Sequence, residues 1–387
     1  MLYTSKIISP KFLLLISFLL CGIISMSTGT SWGAAGTFGA ALMSIAAGMN
    51  FPLPLVAGAI ISGCYIGDGL SPLGGEPNLV AMSADVDLRK HLKHLLWTEG
   101  TAVVLCALIY GVLGFVIGSG KESGLTQIDP ILNTLTTLFK MKMPYGLLLL
   151  IPPAIVIYGM VKNMPIVPVM FASIGFSIFN AVAVQDFPLK SIAATLIGGF
   201  NLNYFRELGV NLDSLPADVS YLLNRGGLSS MLDILQVTFC AFAFVGALNV
   251  TGVLNVLLSK AVKFIKSTGQ LIMTTALSGF VSIAIAGNNT ICFILLGDLF
   301  QKEYTLKGLK KENLSRVIAD SITGVEPIIP WSLAGVFMSG TLGVPTLNYL
   351  PWAFFCYIPL ILTILLGFTG IGISKIEKGD NAAYSQT

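Results

Sequence analysis

The chain has 387 residues, of which 54% are apolar and only 11% charged, with a formal net charge of +3. Soluble domains carry about 25% charged residues, so the composition argues against a soluble enzyme, and so small a net charge gives no footing for nucleic acid. A spanning helix takes about 20 mostly apolar residues, and the apolar content suffices for about ten of them. The chain therefore reads as an all-α polytopic membrane protein in contact with the lipid bilayer.

Apolar stretches run at 12–27, 33–50, 53–66, 95–118, 144–161, 164–184, 228–250, 268–287, 289–300, 314–343 and 350–374. The first follows Lys6 and Lys11 as a signal peptide would, yet Ser25 to Trp32 lead straight into the next, which favours a retained membrane segment. Polarity collects in three connections: Asp85 to His94, Lys121 to Lys142, and Asn201 to Arg225. The last is the expected seam, with a first half over 1–200, a polar connecting stretch over 201–225 and a second half over 226–387. All six cysteines lie in or beside apolar runs without CxxC or Cys/His spacing. They read as small buried hydrophobes, with no resident metal and no cofactor expected.

Basic residues gather at Arg89/Lys90/Lys93, Lys260/Lys263/Lys266, Lys302 to Arg316 and Lys375/Lys378. The positive-inside rule puts all four groups on the cytoplasmic side of the cell membrane. His91 and His94 read as part of an interfacial basic loop.

Two stretches break the apolar pattern. The first runs from Asp68 to Asn78 (DGLSPLGGEPN) and the second from Asp320 to Pro330 (DSITGVEPIIP). The Gly and Pro content of the first predicts a non-helical segment throughout. Each stretch has an Asp, small and hydroxyl residues, then Glu-Pro. Eight Glu and 18 Pro in 387 residues give about 0.4 Glu-Pro pairs by chance, and two occur. Each is preceded by another polar, Gly-containing break, Ser27 to Gly33 and Ala286 to Thr290. Each half thus reads "polar break, helix, Glu-Pro break". With opposite orientations from the basic loops, this order suggests two inverted repeats with broken helices or re-entrant hairpins, and matching breaks point to a transporter's binding site.

Acidic groups at membrane depth are functional candidates by default. Asp68, Glu76, Glu326 and Asp320 are the expected proton and cation exchangers, although Arg316, one turn before Asp320, offers that residue a structural ion pair. Hydroxyl and amide oxygens of Thr30, Ser31, Ser71, Asn78, Asn288, Asn289, Thr290 and Thr323 are candidates to coordinate Na⁺ or a substrate. Other classes fit less well. The aspartyl-protease pattern Gly-x-Gly-Asp fails at Tyr65, no histidine falls in an apolar run, and HExxH and GxxxxGK[ST] are both missing. A channel stays open, since pores also use carbonyls and acidic rings.

The stretches Ser27 to Met43, Gly67 to Leu73 with Asn78 and Leu79, Arg225 to Met231, Leu295 to Phe300 around Gly297, Leu314 to Arg316, and Ile329 to Trp331 with Gly340 to Val344 resemble the NhaC-type sodium/proton antiporter family. The resemblance spans most of the chain in family order. It implies a secondary antiporter without covalent chemistry, moving Na⁺ and H⁺, or in some members an organic acid or amino acid; a homodimer is open. It also implies one or two further leading spans. The chain departs from the family pattern in its acids. Gly74-Gly75-Glu76-Pro77 stands where Ser-Asp-Thr-Thr is usual, Asn288 where an Asp often follows Gly, Asn249 where an acid is common, and Glu326 where a neutral residue is expected.

Overall fold

The structure is a computed structural model that describes residues 9–119, 148, 151–162, 164, 166–184, 187–201, 227–252 and 265–376. Two of the expected polar connections, 121–142 and most of 201–225, lie outside these residues. Among the described residues the fold is helical and contains no β-sheet, only an isolated bridge between Leu309 and Lys375. Four helical stretches are long and apolar enough to cross a membrane: Pro10–Thr28, Leu53–Leu70, Leu88–Ser119 and Thr268–Ala286.

The helices in chain order are α1 (Leu13–Thr28), α2 (Ser31–Ala34, leading into a π-helical turn Ala35–Gly39), α3 (Ala40–Gly48), α4 (Leu53–Leu70), α5 (Gly75–Ser83), α6 (Leu88–Leu95, followed by a π-helical turn Leu96–Gly100), and α7 (Thr101–Ser119). Then come α8 (Ile151–Val161), α9 (Ile166–Ala183), α10 (Leu189–Gly198), α11 (Leu232–Thr251), α12 (Thr268–Ala286), α13 (Asn289–Leu306), α14 (Lys311–Ile322), α15 (Leu333–Leu342), α16 (Thr346–Tyr349) and α17 (Ile358–Thr369).

The chain forms two compact units. The smaller holds residues 1–13, 41–53 and 114–235. In it α8 packs on α9, where Ser173 Oγ donates to Pro152 O at 3.0 Å and Asn180 Nδ2 to Leu148 O at 2.9 Å. The larger holds residues 14–40, 54–113 and 236–387, and so draws on both halves of the sequence. Its core is built by α12, α13 and α14 packing on one another, with α5 and α6 against α13 and α14 and with α17 against α12. Leu271, Ile272, Phe293, Phe300, Val317 and Ile318 are fully buried there.

Apolar side chains also face outward. Along α7, Val104, Leu108 and Val112 form an exposed stripe four residues apart, while Cys106 and Tyr110 on the other face are buried. An apolar outer face is what a bilayer, not water, stabilises. Tyr110 meets the need of a buried phenol for polar partners by pairing with Ser62 Oγ at 2.7 Å and donating to Trp352 O at 2.6 Å.

Several expectations need correction. The stretch from Asp68 to Asn78 is mostly helical: α4 continues through Leu70, only 71–74 break, and Glu76 and Pro77 lie in the first turn of α5. A Pro there costs little, because first-turn N–H groups have no intrahelical partner to lose. Asp85 to His94 is not a loop either. Asp87 caps α6 by accepting from Arg89 N at 3.0 Å, and His91 and His94 on that helix are buried, not interfacial. Their partners, Ser315 and Asn313, come from α14, more than 200 residues later. The ion pair between Arg316 and Asp320 does not form. Arg316 Nη1 donates to Gly372 O at 2.8 Å, and Asp320 Oδ1 accepts from Thr98 Oγ1 at 3.0 Å. Five cysteines are buried as expected, but Cys240 is exposed.

Candidate functional site

Two breaks within the larger unit have nearly the same backbone. Gly29 ends α1 at φ +71° and Gly287 ends α12 at φ +64°, left-handed values that favour glycine. The next residues, Thr30 (φ −147°, ψ 123°) and Asn288 (φ −137°, ψ 123°), are the N-caps of α2 and α13. Each glycine also packs on the N-cap residue of the helix that follows the second break in its half. Gly29 lies against Gly74, before α5, and Gly287 lies against Ser332, before α15, with Leu333 N donating to Gly287 O at 3.1 Å.

These breaks bring helix ends to carboxylates. Asp68, near the end of α4, is 6% exposed, and its Oδ1 accepts the Ser31 N–H at 2.9 Å. A carboxylate is stabilised at a helix N-terminus by the free N–H groups and the helix dipole. Thr30 caps the same turn by accepting from Gly33 N at 3.4 Å, and the buried Ser31 side chain lies beside the Asp68 carboxylate. Glu76 sits in the first turn of α5. Its Oε1 accepts from Asn289 Nδ2 at 2.6 Å, its Oε2 is buried without a partner, and the Thr323 side chain lies beside it. The Thr290 hydroxyl donates to Asn289 Oδ1 at 3.3 Å, which orients the amide nitrogen toward Glu76. Glu326, 4% exposed on the 3-10 turn Glu326–Ile328, faces the N–H of Ala334 in the first turn of α15.

Asp68, Glu76 and Glu326 are thus electrostatic neighbours, with Tyr65 packed among them. Among the described residues none of the three makes an ion pair with Lys, Arg or His; the ion pair that forms, Lys311 with Asp85 at 2.5 Å, lies elsewhere. Two of these carboxylates are buried and Glu76 is half-buried, and such a cluster is costly unless protonation or a cation neutralises it. Ser31 and Thr323 supply neutral oxygens around them, whereas Asn289, expected from the sequence to coordinate, presents its amide nitrogen to Glu76.

Other expected residues point elsewhere. Asn78 is exposed and turns its amide back to Gly74 O at 2.7 Å. Ser71 binds α1, donating to Met26 O at 2.7 Å. Asn288 makes no side-chain cap, and its place in the site rests on its backbone. Asp320 joins a neighbouring group on α14. There it meets a residue that sequence reasoning missed, Glu99, which is 2% exposed on the π-helical turn after α6. The Glu99 carboxylate lies directly on Gly69, where any Cβ would overlap it. The signal was present, since Glu99 is an acid inside the apolar stretch 95–118, and acids at membrane depth are functional candidates by default.

Broken helices, an apolar exterior and unpaired buried carboxylates define the chain as a multi-pass helical membrane protein with a polar, charged interior. A family model described as the Na⁺/H⁺ antiporter family matches residues 2–76 and 63–371. An uncharacterized Na⁺/H⁺ antiporter of Haemophilus influenzae is 40% identical over 376 residues, covering 97% of this chain and 78% of that protein. The Na⁺/H⁺ antiporter NhaC of Alkalihalophilus pseudofirmus is 32% identical over 97% of this chain and 78% of its own. A malate-2H⁺/Na⁺-lactate antiporter of Bacillus subtilis is 33% identical over 95% of this chain and 75% of its own. The chain belongs to the Na⁺/H⁺ antiporter family, a family of transporters rather than catalytic enzymes.

Proposed function

We propose that the protein exchanges Na⁺ for H⁺ across the cell membrane, using Asp68, Glu76 and Glu326 as groups that hold either ion, with Asp320 handling protons in the adjoining group around Glu99. The observation that carries this reading is a cluster of three carboxylates, Asp68 and Glu326 buried and Glu76 half-buried, without a cationic partner. A proton and a partly dehydrated Na⁺ compete for the same oxygens, so binding one expels the other, which is the coupling antiport needs. The Ser31 and Thr323 hydroxyls add to an oxygen shell of the kind hard cations take, and Asn289 would join it only by turning its amide over. A carboxyl group that works this way near neutral pH needs a pKa close to 7, against about 4.3 for free Glu.

The matching Gly29–Thr30 and Gly287–Asn288 breaks support two inverted repeats over about ten membrane segments. Each half is then a pair of broken helices that can rock about the site. Similarity to the malate-2H⁺/Na⁺-lactate antiporter favours, as a second reading, exchange of an organic acid. Against an anion at α2, the Ser31 N–H is already taken by Asp68.

The test is Na⁺-driven proton movement in proteoliposomes, followed with a pH-sensitive dye. Wild type is expected to give a Na⁺-dependent signal that Glu76→Gln lowers by at least about tenfold. No signal from inserted wild type, with uptake of labelled malate or lactate instead, would replace the first reading by the second.

A further inference from the structure

Among the described residues, five buried polar atoms without a geometric hydrogen-bond partner lie along one seam. They are His91 Nε2, Glu99 Oε2, Arg316 Nε and Nη2, and Asp320 Oδ2, the last with the Thr363 hydroxyl of α17 beside its carboxylate. His91, Glu99, Arg316 and Asp320 are each at most 2% exposed. The seam follows α6 with its π-helical turn on one side and α14 on the other. Three side-chain pairs run along it: His91 Nδ1 with Ser315 Oγ at 2.9 Å, His94 Nε2 with Asn313 Oδ1 at 3.2 Å, and Thr98 Oγ1 to Asp320 Oδ1 at 3.0 Å. Buried donors and acceptors are rarely left unmade, and where protein cannot serve them, ordered water does. Here unpaired donors (Arg316) and acceptors (Glu99, Asp320) follow one another, the sequence that a hydrogen-bonded line of water joins.

The two ends of the seam differ. At the inner end the Glu99 carboxylate rests on Gly69, next to Asp68, with Asp68 and Asp320 as its charged neighbours. At the outer end Asn313 Nδ2 donates to Lys310 O at 2.8 Å and to Ser374 O at 2.7 Å, beside the Lys311–Asp85 pair, whose Asp85 is 76% exposed. The seam therefore runs from the carboxylate site toward a basic surface, ending at the buried Asn313 next to the exposed Asp85 pair.

We propose that the α6–α14 seam is a hydrated proton passage serving the exchange site, with Glu99 as the carrier at its inner end. This rests on the antiport reading above. A carboxyl group can accept a proton from water on one side and release it to Asp68 on the other. An alkali cation is poorly served on the same route, because it takes several oxygens, whereas Arg316 and the histidines present nitrogen to the seam. Charged and titratable groups facing Glu99 and the seam are Asp68 from α4, Asp320 and Arg316 from α14, and His91 and His94 from α6.

The test separates proton movement from the sodium step. Wild type, Glu99→Gln and Glu99→Asp are reconstituted and assayed for Na⁺-driven proton movement and for isotopic Na⁺/Na⁺ exchange at equal pH on both sides. The expected result is that Glu99→Gln slows proton movement at least about tenfold with Na⁺/Na⁺ exchange near the wild-type rate, and that Glu99→Asp recovers proton movement. Unchanged rates in both assays, or equal loss in both, would overturn the passage. Infrared spectra in D₂O decide independently of transport. A carboxyl band present in wild type, missing in Glu99→Gln and shifting promptly on transfer to D₂O upholds the passage, and a band that does not shift overturns it. If wild type moves no proton against Na⁺, the functional reading fails, and the infrared result alone then judges the passage.

Discussion

Asn289 holds Glu76 by one short hydrogen bond, and Thr290 sets the direction of that amide. A hydrogen bond to a charged group contributes about 1.5–3 kcal/mol, and about 1.4 kcal/mol is a factor of ten in affinity. Removing the donor favours the form of Glu76 that carries a proton over the form that holds a cation. Asn289→Ala is therefore expected to raise the half-maximal Na⁺ concentration for proton movement by about tenfold. Asn78→Ala, whose amide serves only Gly74 O, is expected to leave it nearly unchanged; equal shifts in dye-monitored titrations of the two variants would contradict the site. From the sequence, Asn78 and Asn289 were equal candidates, because both stand beside a break. What separates them is direction: Asn78 follows Glu76 by two residues on a helix, so the two side chains point to different faces. Glu99 went unread for a different reason. Its neighbours in space, Gly69 and Asp320, lie about 30 and more than 200 residues away in the chain, and the π-helical turn that aims it has no sequence signature comparable to Gly or Pro.

At the scale of elements, the breaks were legible and their extents were not. Glycine and proline marked where α1, α4, α12 and α14 end, since a left-handed Gly29 or Gly287 stops a helix whatever it packs on. Pro77 misled because a proline is a breaker inside a helix and a good residue in its first turn, and the sequence alone does not say which. Helix α6 misled because its charged octamer resembles a surface segment; only packing against α14 buries the histidine face. Close contact between α1 and α4 is set by Gly67, where a Cβ would strike the Ser25 backbone and hydroxyl. Ser25 Oγ also donates to Cys64 O across the same contact. Overpacking of this kind costs about 1–3 kcal/mol. Gly67→Ala is expected to lower the thermal unfolding temperature in detergent by several degrees. Gly111→Ala, where a Cβ would meet only Leu15 at 4.0 Å, is expected to be neutral or to stabilise by up to about 1 kcal/mol from helix propensity. If both behave alike, packing at Gly67 is not what joins these helices.

For the whole molecule, the expected basic face is also a structural face. Lys307 Nζ donates to Lys266 O at 3.0 Å, Lys310 N to Ser374 O at 3.0 Å, and Lys311 pairs with Asp85, so three of the basic groups noted in the sequence meet there with the outer end of the seam. The positive-inside rule predicts these charges on the cytoplasmic side, where a proton passage through the seam would then open and take its protons from the cytoplasm. This orientation is open to direct labelling. Five of the six cysteines are buried, so replacing Cys240 by Ser leaves a background of low reactivity toward a membrane-impermeant maleimide. In that background Lys307→Cys is expected to label in everted vesicles and not in right-side-out ones. If the apolar stretch 314–343 crosses the membrane once, Asn348→Cys, beyond it, is expected to show the reverse. Labelling of both positions from the same side would place an even number of crossings between them, and the opposed halves would have to be redrawn. Labelling with the two sides exchanged would keep the repeats but turn the basic face, and the mouth of the seam with it, away from the cytoplasm.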